Sequence, residues 1–224
     1  MEKTDAALGE LVHQHLLKVG LETPMLYDQV RVKNDVKIKR IAKHFTSIME
    51  ELGLDLTDDS LNDTPNRVAK MYVREIFNGL NYDNFPKCTR IENKMGENSS
   101  FVLERNVNVQ SNCEHHFVII DGKATVAYIP KKTILGLSKL NRIVQFFSKR
   151  PQVQERLTEQ IAETISFITD SPDVAVYIEG VHYCVKSRGI QDVTSSTMTL
   201  ATRGAFAETK SELRREFLNS ARMK

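Results

Sequence analysis

The stretch FVIIDGKATVAYIP, residues 117–130, decides the fold that we predict for this chain. It holds two runs rich in β-branched and aromatic residues, and Asp121 and Gly122 lie between them. An Asp-Gly pair between two such runs favours the tight two-residue turn of a β-hairpin. The stretch therefore predicts two antiparallel strands that meet at Asp121 and Gly122.

Helical patterns and further strands follow this predicted hairpin. Apolar residues repeat at i, i+3, i+4 and i+7 from Leu140 to Phe147, which predicts a helix over 138–149. After Pro151, an apolar stripe predicts a second helix. Further along, the pattern predicts a strand over 173–184, a return strand over 194–206 and a short closing helix over 210–223.

The N-terminal part of the chain shows helical patterns only. Residues 35–52 carry an apolar stripe that ends at Gly53. A second helix is predicted with Thr64 as N-cap, Pro65 at the first helical position and Gly79 at its end. We therefore expect a helical arm over residues 1–85 and a domain over 86–224. The predicted fold class is α+β, with antiparallel strands beside segregated helices.

Length and charge exclude several classes of protein. With 224 residues, of which 41% are hydrophobic, the chain can bury a core without disulfides or a structural metal. The net charge is only +2, so nothing in the overall charge argues for a nucleic-acid partner. We see no signal peptide, and no run approaches the roughly 18 apolar residues that would span a membrane.

Cysteine usage indicates a reducing compartment. The three cysteines, Cys88, Cys113 and Cys184, are sparse and odd in number, which does not fit a disulfide framework. We therefore predict a cytoplasmic protein with no membrane partner. Cys88 belongs to no motif, and we interpret it as structural.

Two of the cysteines and a histidine have the residue types of a metal centre. Cys113 and His116 lie close together in the sequence, whereas Cys184 follows much later. Thiolates and imidazole are good zinc ligands, and three protein ligands leave a fourth position open for water, as in catalytic zinc sites. The alternative is that these cysteines are free and simply buried, which is common.

Alternation along the strand predicted at 173–184 favours the metal interpretation. If Gly180 makes no bulge, the even-numbered residues share one face, so His182 and Cys184 project together from the end of the strand. The alternative for His182 is a core histidine whose hydrogen bonds are satisfied.

A basic segment lies between the predicted hairpin and the second helix. No acidic residue occurs between Gly122 and Gln154. Ser138 is the predicted N-cap of the helix over 138–149, and Lys139 and Arg142 lie with it on the side opposite the apolar stripe. Free backbone N–H groups and cations together favour phosphate. The alternative is a solvated helix face, and no P-loop motif is present.

Four segments together resemble one enzyme family, that of the type I GTP cyclohydrolases. The segments are SNCEHHFVIIDGKATVAYIPK (111–131), GLSKLNRIVQFFSKRPQVQERLTEQI (136–161), VHYCVKSRGIQD (181–192) and DDSLNDTPNRVAKMYVREIFNGL (58–80). The resemblance covers about residues 35–220. It implies the tunnelling fold, with an antiparallel four-stranded sheet and two long helices on one side. It also implies a homodecamer of two pentamers.

The resemblance implies an activity and a set of site residues. The activity is hydrolytic opening of the guanine imidazole ring of GTP, which releases formate and gives 7,8-dihydroneopterin triphosphate, the first step of folate or other pterin biosynthesis. The implied zinc ligands are Cys113, His116 and Cys184, and the implied catalytic residues are His115, His182 and Ser138. The implied substrate contacts are Glu155, Gln154, Lys139, Arg142, Arg188, Arg67 and Lys70.

The chemistry gives each residue type a reason. Zinc lowers the pKa of a bound water to about 7, which supplies hydroxide for attack at C8 of guanine. An imidazole with a pKa of about 6.5 suits protonation of N7. Glu155 accepts hydrogen bonds from N1–H and the exocyclic amine of guanine, donors that adenine lacks. The cations suit the triphosphate.

Two other functions are less consistent with these residues. A nitrile reductase of queuosine synthesis shares the tunnelling fold but uses a cysteine nucleophile and NADPH, and needs no zinc triad. A zinc-stabilised oligomeric binding protein would not need His115, His182 and Glu155. A zinc deaminase would carry an H-x-E motif with PCxxC, which is absent.

Overall fold

A computed structural model describes residues 3–96 and 100–223 of this chain. The α-helices are α1 (Ala6–Lys18), α2 (Tyr27–Val30), α3 (Asn34–Glu51), α4 (Thr64–Met71), α5 (Leu137–Ser148), α6 (Gln154–Thr169), α7 (Tyr183–Lys186) and α8 (Glu212–Arg222). A π-helical turn, Tyr72–Ile76, continues α4, and short 3-10 turns cover Asn78–Leu80, Tyr82–Asn84 and Gly204–Phe206. The predicted fold class, α+β, is confirmed.

The strands form one large sheet and one small sheet. The strands are β1 (Arg90–Glu92), β2 (Val102–Cys113), β3 (Ile119–Tyr128), β4 (Thr133–Leu135), β5 (Pro151–Gln152), β6 (Val174–His182) and β7 (Thr197–Thr202). The large sheet has the order β5-β2-β3-β6-β7, and all its pairs are antiparallel except β5 with β2. It therefore differs from the predicted four strands by the two-residue β5. β1 and β4 pair separately.

The predicted hairpin turn at Asp121 and Gly122 is wrong. Both residues lie inside β3, which runs unbroken from Ile119 to Tyr128. Gly122 instead opposes Gly180 of β6, and a Cβ at Gly122 would lie 2.3 Å from the carbonyl oxygen of Glu179. Gly122 lets two strands approach each other closely. The same Asp-Gly pair is therefore compatible with a tight turn and with a close contact between strands. The real β2–β3 turn is the segment 114–118.

Other predicted boundaries shift by small amounts that have structural consequences. β6 ends at His182, so the prediction that Cys184 lies on the strand is wrong, and Cys184 lies in α7. The N-cap of α5 is Gly136 rather than Ser138, which is the second residue of the helix. Likewise the N-cap of α4 is Asp63 rather than Thr64. The helix predicted over 35–52 is confirmed as α3.

The main core lies between one face of the large sheet and helices α1, α5 and α6. Its sheet side includes Val174, Val176 and Ile178, which confirms the predicted apolar face of this strand. α8 covers part of the opposite face, where Phe217 packs near Tyr177. In the described residues, no helix is both long enough and apolar enough to cross a membrane.

The N-terminal arm joins this core through apolar and charged contacts. Val12 and Leu16 of α1 are fully buried in the main core. The guanidinium of Arg150 is also fully buried, and it donates to Glu22 of the arm at 3.0 Å. Arg150 therefore does not belong to the exposed basic segment that the sequence indicated. The predicted division after residue 85 stays a prediction.

The close contact between β3 and β6 can be tested with Gly122→Ala. The added methyl would overlap the Glu179 carbonyl, so we expect the free energy of unfolding to fall by about 2 kcal/mol or more. The measurement is urea unfolding at one protein concentration. Gly136→Ala is the matched control, because its Cβ would lie 3.7 Å from the nearest atom. Equal stability of the two variants would contradict the close packing at Gly122.

Candidate metal centre

The turn between β2 and β3 carries the CEHH motif. The N–H of Phe117 donates to the carbonyl of Cys113 at 2.8 Å, and the N–H of Cys113 donates to the carbonyl of Val118 at 2.8 Å. Phe117 has a φ of 55°, the left-handed region that non-glycine residues rarely adopt. The turn, defined as residues 113–118 and called the metal turn below, therefore holds Cys113 at a strand end and both histidines at its tip.

Cys113, His116 and Cys184 come together at this turn. Their donor atoms all lie within 4.8 Å of one another. The sheet register explains the meeting, because Ile120, just after the turn, pairs with His182, the last residue of β6. Cys184 then follows in α7. The two residues of the CEHH motif and the distant cysteine are thus adjacent because β3 and β6 are neighbouring strands.

The donor set fits zinc. Zinc bonds of about 2.0–2.3 Å place tetrahedral donors about 3.5–4 Å apart, which is compatible with three donor atoms that all lie within 4.8 Å of one another. Burial raises the pKa of the Cys184 thiol, and the neighbouring Cys113 thiol raises it further. Two crowded thiols gain from losing their protons to a metal ion. With three protein donors, the set has the composition of a catalytic zinc site with an open position.

His115 lies beside this group but outside it. Its Nδ1 is 3.6 Å from the Sγ of Cys113, and its side chain is 63% exposed. Successive side chains diverge along the turn, so His115 and His116 point differently. This arrangement supports the prediction that His116 is the ligand and His115 is free to act on substrate.

His182 is oriented by Gln154 of α6. Its Nε2 lies 2.9 Å from the Oε1 of Gln154. The amide nitrogen of Gln154 donates to the carbonyls of Ile178 and Thr197 at 3.2 and 2.9 Å, so the amide oxygen must face His182. Neutral His182 therefore carries its proton on Nε2 and leaves Nδ1 free to accept one. Gln154, predicted as a substrate contact, is buried and bonded to protein groups.

Burial and the nearby Glu155 carboxylate have opposite effects on the pKa of His182. Burial lowers the pKa of His182 below its usual value, because it disfavours the charged imidazolium, and the nearby Glu155 carboxylate raises it. Glu155 is exposed in the first turn of α6, immediately after Gln154. His182 and Glu155 therefore lie on the same side of the molecule as the metal turn.

A cavity of about 970 Å³ opens beside the metal turn. The arm supplies much of its lining, including Phe45 of α3 and Tyr72 of the π-helical turn, and the metal turn supplies His115 and His116. The Phe117 ring packs against Tyr72 and Phe77 with centroids 6.3 and 5.2 Å apart. These aromatic contacts join the metal turn to the arm.

The predicted phosphate-binding residues do not meet the metal turn within one chain. Asn141 of α5 donates to Glu104 of β2 at 3.0 Å, and nine residues of strand separate Glu104 from Cys113, about 30 Å at 3.3 Å per residue. Ser138, Lys139 and Arg142 lie at this distant end of α5. No side chain caps the N-terminus of α5.

The other predicted cations are exposed. Arg67 and Lys70 lie on α4, and Arg67 forms an ion pair with Asp63 at 3.2 Å. Arg188 follows α7, four residues after Cys184. It is the predicted cation nearest in sequence to the triad.

Sequence reasoning missed Arg156 and Gln152, the two residues that hold the metal turn through Glu114. Glu114, inside the CEHH motif, forms an ion pair with Arg156 of α6. Gln152 accepts the N–H of Glu114 on its carbonyl at 3.0 Å. The signal available was the Gln-x-Gln-Glu-Arg run, 152–156, but its pairing with the turn depends on β5 lying beside β2.

Fold and site define an α+β protein with the donor set of a catalytic zinc centre at a hairpin turn. The GTP cyclohydrolase I family profile matches residues 41–222. A GTP cyclohydrolase 1 of Yersinia enterocolitica is 55% identical over 214 residues, which are 96% of each chain. One of Erwinia tasmaniensis is 56% identical over 212 residues, 95% of each chain. This chain belongs to the GTP cyclohydrolase I family.

Among solved structures, the crystal structure of the archaeosine synthase QueF-Like in the apo form overlaps 47% of this chain and 95% of its own. The TM-score is 0.40 and the sequence identity 18%. A likeness at this level carries no argument about the fold.

Alanine variants of the two adjacent histidines should separate metal binding from catalysis. We expect His116→Ala to lose zinc, because it removes one of three clustered donors. We expect His115→Ala to keep near-stoichiometric zinc and to lose activity about 10²–10⁴-fold, the range for a proton-transfer residue. The measurements are zinc content and formate release from GTP. Zinc loss in His115→Ala with retention in His116→Ala would reverse the assignment.

Proposed function

We propose that this protein catalyses the hydrolytic opening of the guanine imidazole ring of GTP. Water adds at C8, the ring opens, formate leaves, and rearrangement of the ribose gives 7,8-dihydroneopterin triphosphate. The observation that carries the proposal is the clustering of Cys113, His116 and Cys184 beside a histidine of fixed orientation. The names of the similar proteins, GTP cyclohydrolase 1, support the substrate.

The two histidines outside the triad, His182 and His115, would transfer protons to and from the reacting atoms. Zinc held by Cys113, His116 and Cys184 would supply a nucleophilic water at neutral pH, since zinc lowers the pKa of bound water to about 7. Protonated His182 would give a proton from Nδ1 to N7 of the ring, while Gln154 holds its Nε2. His115, exposed at the tip of the turn, would relay the proton of the attacking water.

Glu155 would recognise the guanine base. An ionised carboxylate has two acceptor oxygens, which match the N1–H and amine donors of guanine. Glu155 is exposed and close enough to His182 to raise its pKa. A base held by Glu155 would therefore reach the proton donor. Adenine offers an acceptor at N1, so the same carboxylate would reject it.

A second copy of the chain would complete the phosphate site. Ser138, Lys139 and Arg142 lie near the start of β2, whereas the triad of the same chain lies at its end, and we infer that this strand length is too far for one nucleotide to bridge. Among the described residues, the outer edge of β7 has no strand partner, and the edge of β2 that faces away from β3 is paired only with the two-residue β5. Edge-to-edge joining of sheets, as the tunnelling fold implies, would cover these edges and bring α5 of one copy toward the triad of another.

The proposed setting follows from the same resemblance. The product feeds folate or another pterin pathway. The free cysteines Cys88, Cys113 and Cys184 suit a reducing compartment such as the cytoplasm. The tunnelling-fold domain over 86–224 would carry the zinc centre, and the arm over 1–85 would lie against it.

Glu155→Gln tests guanine recognition. The amide keeps one acceptor and adds a donor that faces a donor of the base, so we expect kcat/KM for GTP to fall by the equivalent of about 2–4 kcal/mol. Zinc content should not change. The measurement is formate release together with the fluorescence of the oxidised pterin. Glu159→Gln, one turn along α6 and paired with Arg203, is the control.

An absence of formate release by the zinc-loaded wild type would refute the proposed function itself. Unchanged kcat/KM in Glu155→Gln would refute only the role of that carboxylate. A binding protein of the same fold would hold zinc and GTP and release no formate, so the same assay excludes or establishes that alternative.

The proposed oligomer can be tested by light scattering. We expect an oligomer, because the phosphate-binding residues and the triad of one chain are too far apart to serve one substrate, and the resemblance to the family implies a homodecamer. A stable monomer near the chain mass of 25.5 kDa that turns over GTP would contradict this arrangement. Arg142→Ala gives a second check, since it should raise KM for GTP without removing zinc.

A further inference from the structure

We propose that Glu114 and Arg156 form a positioning pair that fixes the metal turn to the first turn of α6. The pair would set both the geometry of the zinc donors and the distance from those donors to Glu155. Its effect on metal binding stands on geometry alone. Its effect on turnover rests on the proposed function.

Glu114 lies between two residues of the metal centre. Cys113 precedes it and His116 follows two residues later, so any movement of Glu114 moves both donors. Its N–H donates to the carbonyl of Gln152 at 3.0 Å, and its Oε2 forms an ion pair with Arg156. The backbone and side chain of this one residue therefore both attach the turn to the segment 152–156.

Arg156 is itself held by a buried chain of amides. Its Nε donates to the Oε1 of Gln152 at 3.3 Å, and the Nε2 of Gln152 donates to Gln160 at 2.8 Å. Gln160 in turn donates to the carbonyl of Leu21 at 2.8 Å. Gln152 and Gln160 are fully buried. Arg156 is thus a fixed anchor rather than a mobile surface cation.

The same helical turn carries the groups expected to meet the base. Gln154, two residues before Arg156, holds His182, and Glu155 is its immediate neighbour. One ion pair therefore connects the donor turn with the residues that orient the proton donor and the guanine. The side chains of Arg156 and Glu114 are only 17% and 26% exposed, so solvent screens the pair less than it screens a surface ion pair.

The metal turn needs an external anchor because its own conformation is strained. Phe117 adopts a left-handed backbone, which is unfavourable in a residue other than glycine. Without the link at Glu114, the turn could relax and separate Cys113 from His116. Residues that orient metal ligands typically change metal affinity or activity by about 10–100-fold when they are replaced.

The test uses full-length protein with four single variants and one double variant. Glu114→Gln and Arg156→Met each remove the ion pair, whereas Arg156→Lys keeps the positive charge. The matched control is Glu159→Gln, which lies on the same helix as Arg156 and removes a different ion pair, the one with Arg203. Zinc affinity is measured by competition with a chelator. The visible absorption spectrum of the cobalt-loaded protein reports donor geometry. kcat and KM are measured with GTP, and thermal unfolding is measured on the metal-free protein.

We expect Glu114→Gln and Arg156→Met to weaken zinc binding about 10–100-fold and to change the cobalt spectrum. kcat should fall more than KM rises, since donor geometry matters most in the transition state. Arg156→Lys should recover most of the affinity, and Glu159→Gln should match the wild type. The double variant Glu114→Gln/Arg156→Met should lose no more than the worse single variant, because the two residues act through each other.

Wild-type zinc affinity and an unchanged cobalt spectrum in both single variants would overturn the proposal, even if thermal stability fell. Additive losses in the double variant would also overturn it. Failure of the proposed function is distinguishable, because wild-type protein would then bind zinc and cobalt in the expected way and release no formate.

Discussion

The close pairing of β3 with β6 is the constraint on which the rest of the structure depends. Gly122 and Gly180 oppose each other there, and a single methyl at Gly122 would meet a backbone carbonyl. The register that follows places the start of β3 next to the end of β6. The metal turn precedes the first of these ends and Cys184 follows the second, so the same pairing that builds the sheet also assembles the triad.

Buried glutamine side chains in and just before α6 hold the residues of the site in place. Gln152, Gln154 and Gln160 are all fully or almost fully buried, and each amide has partners. A buried amide without a partner costs free energy, so this set of amides has one favourable arrangement. It orients His182 on one side and Arg156 on the other, so the first turn of α6 positions both the proton donor and the anchor of the metal turn.

The parts of the proposed nucleotide site lie far apart within one chain, and the reason is geometric. β2 is long, and α5 packs along it in the same direction, with its first turns near Glu104 and its C-terminal end near Ser111, so the N-terminus of α5 lies at the end remote from Cys113. The cations of α5 therefore cannot serve the triad of the same chain. The proposed association of identical chains would cover the exposed strand edges and would also bring cations to a substrate with three phosphates.

The sequence by itself determined the class of fold and the types of residue at the metal centre. It also predicted the helices over 35–52 and 138–149, each within one residue of α3 and α5, and the apolar face of β6, because these features depend on local periodicity. Only the tertiary structure decided where the chain turns, where β6 ends and which groups hold His182 and Glu114. The local sequence Asp121-Gly122 does not distinguish a tight turn from a strand that another strand approaches closely. The difference lies in the contact with Gly180, which is remote in the sequence and therefore has no local signal.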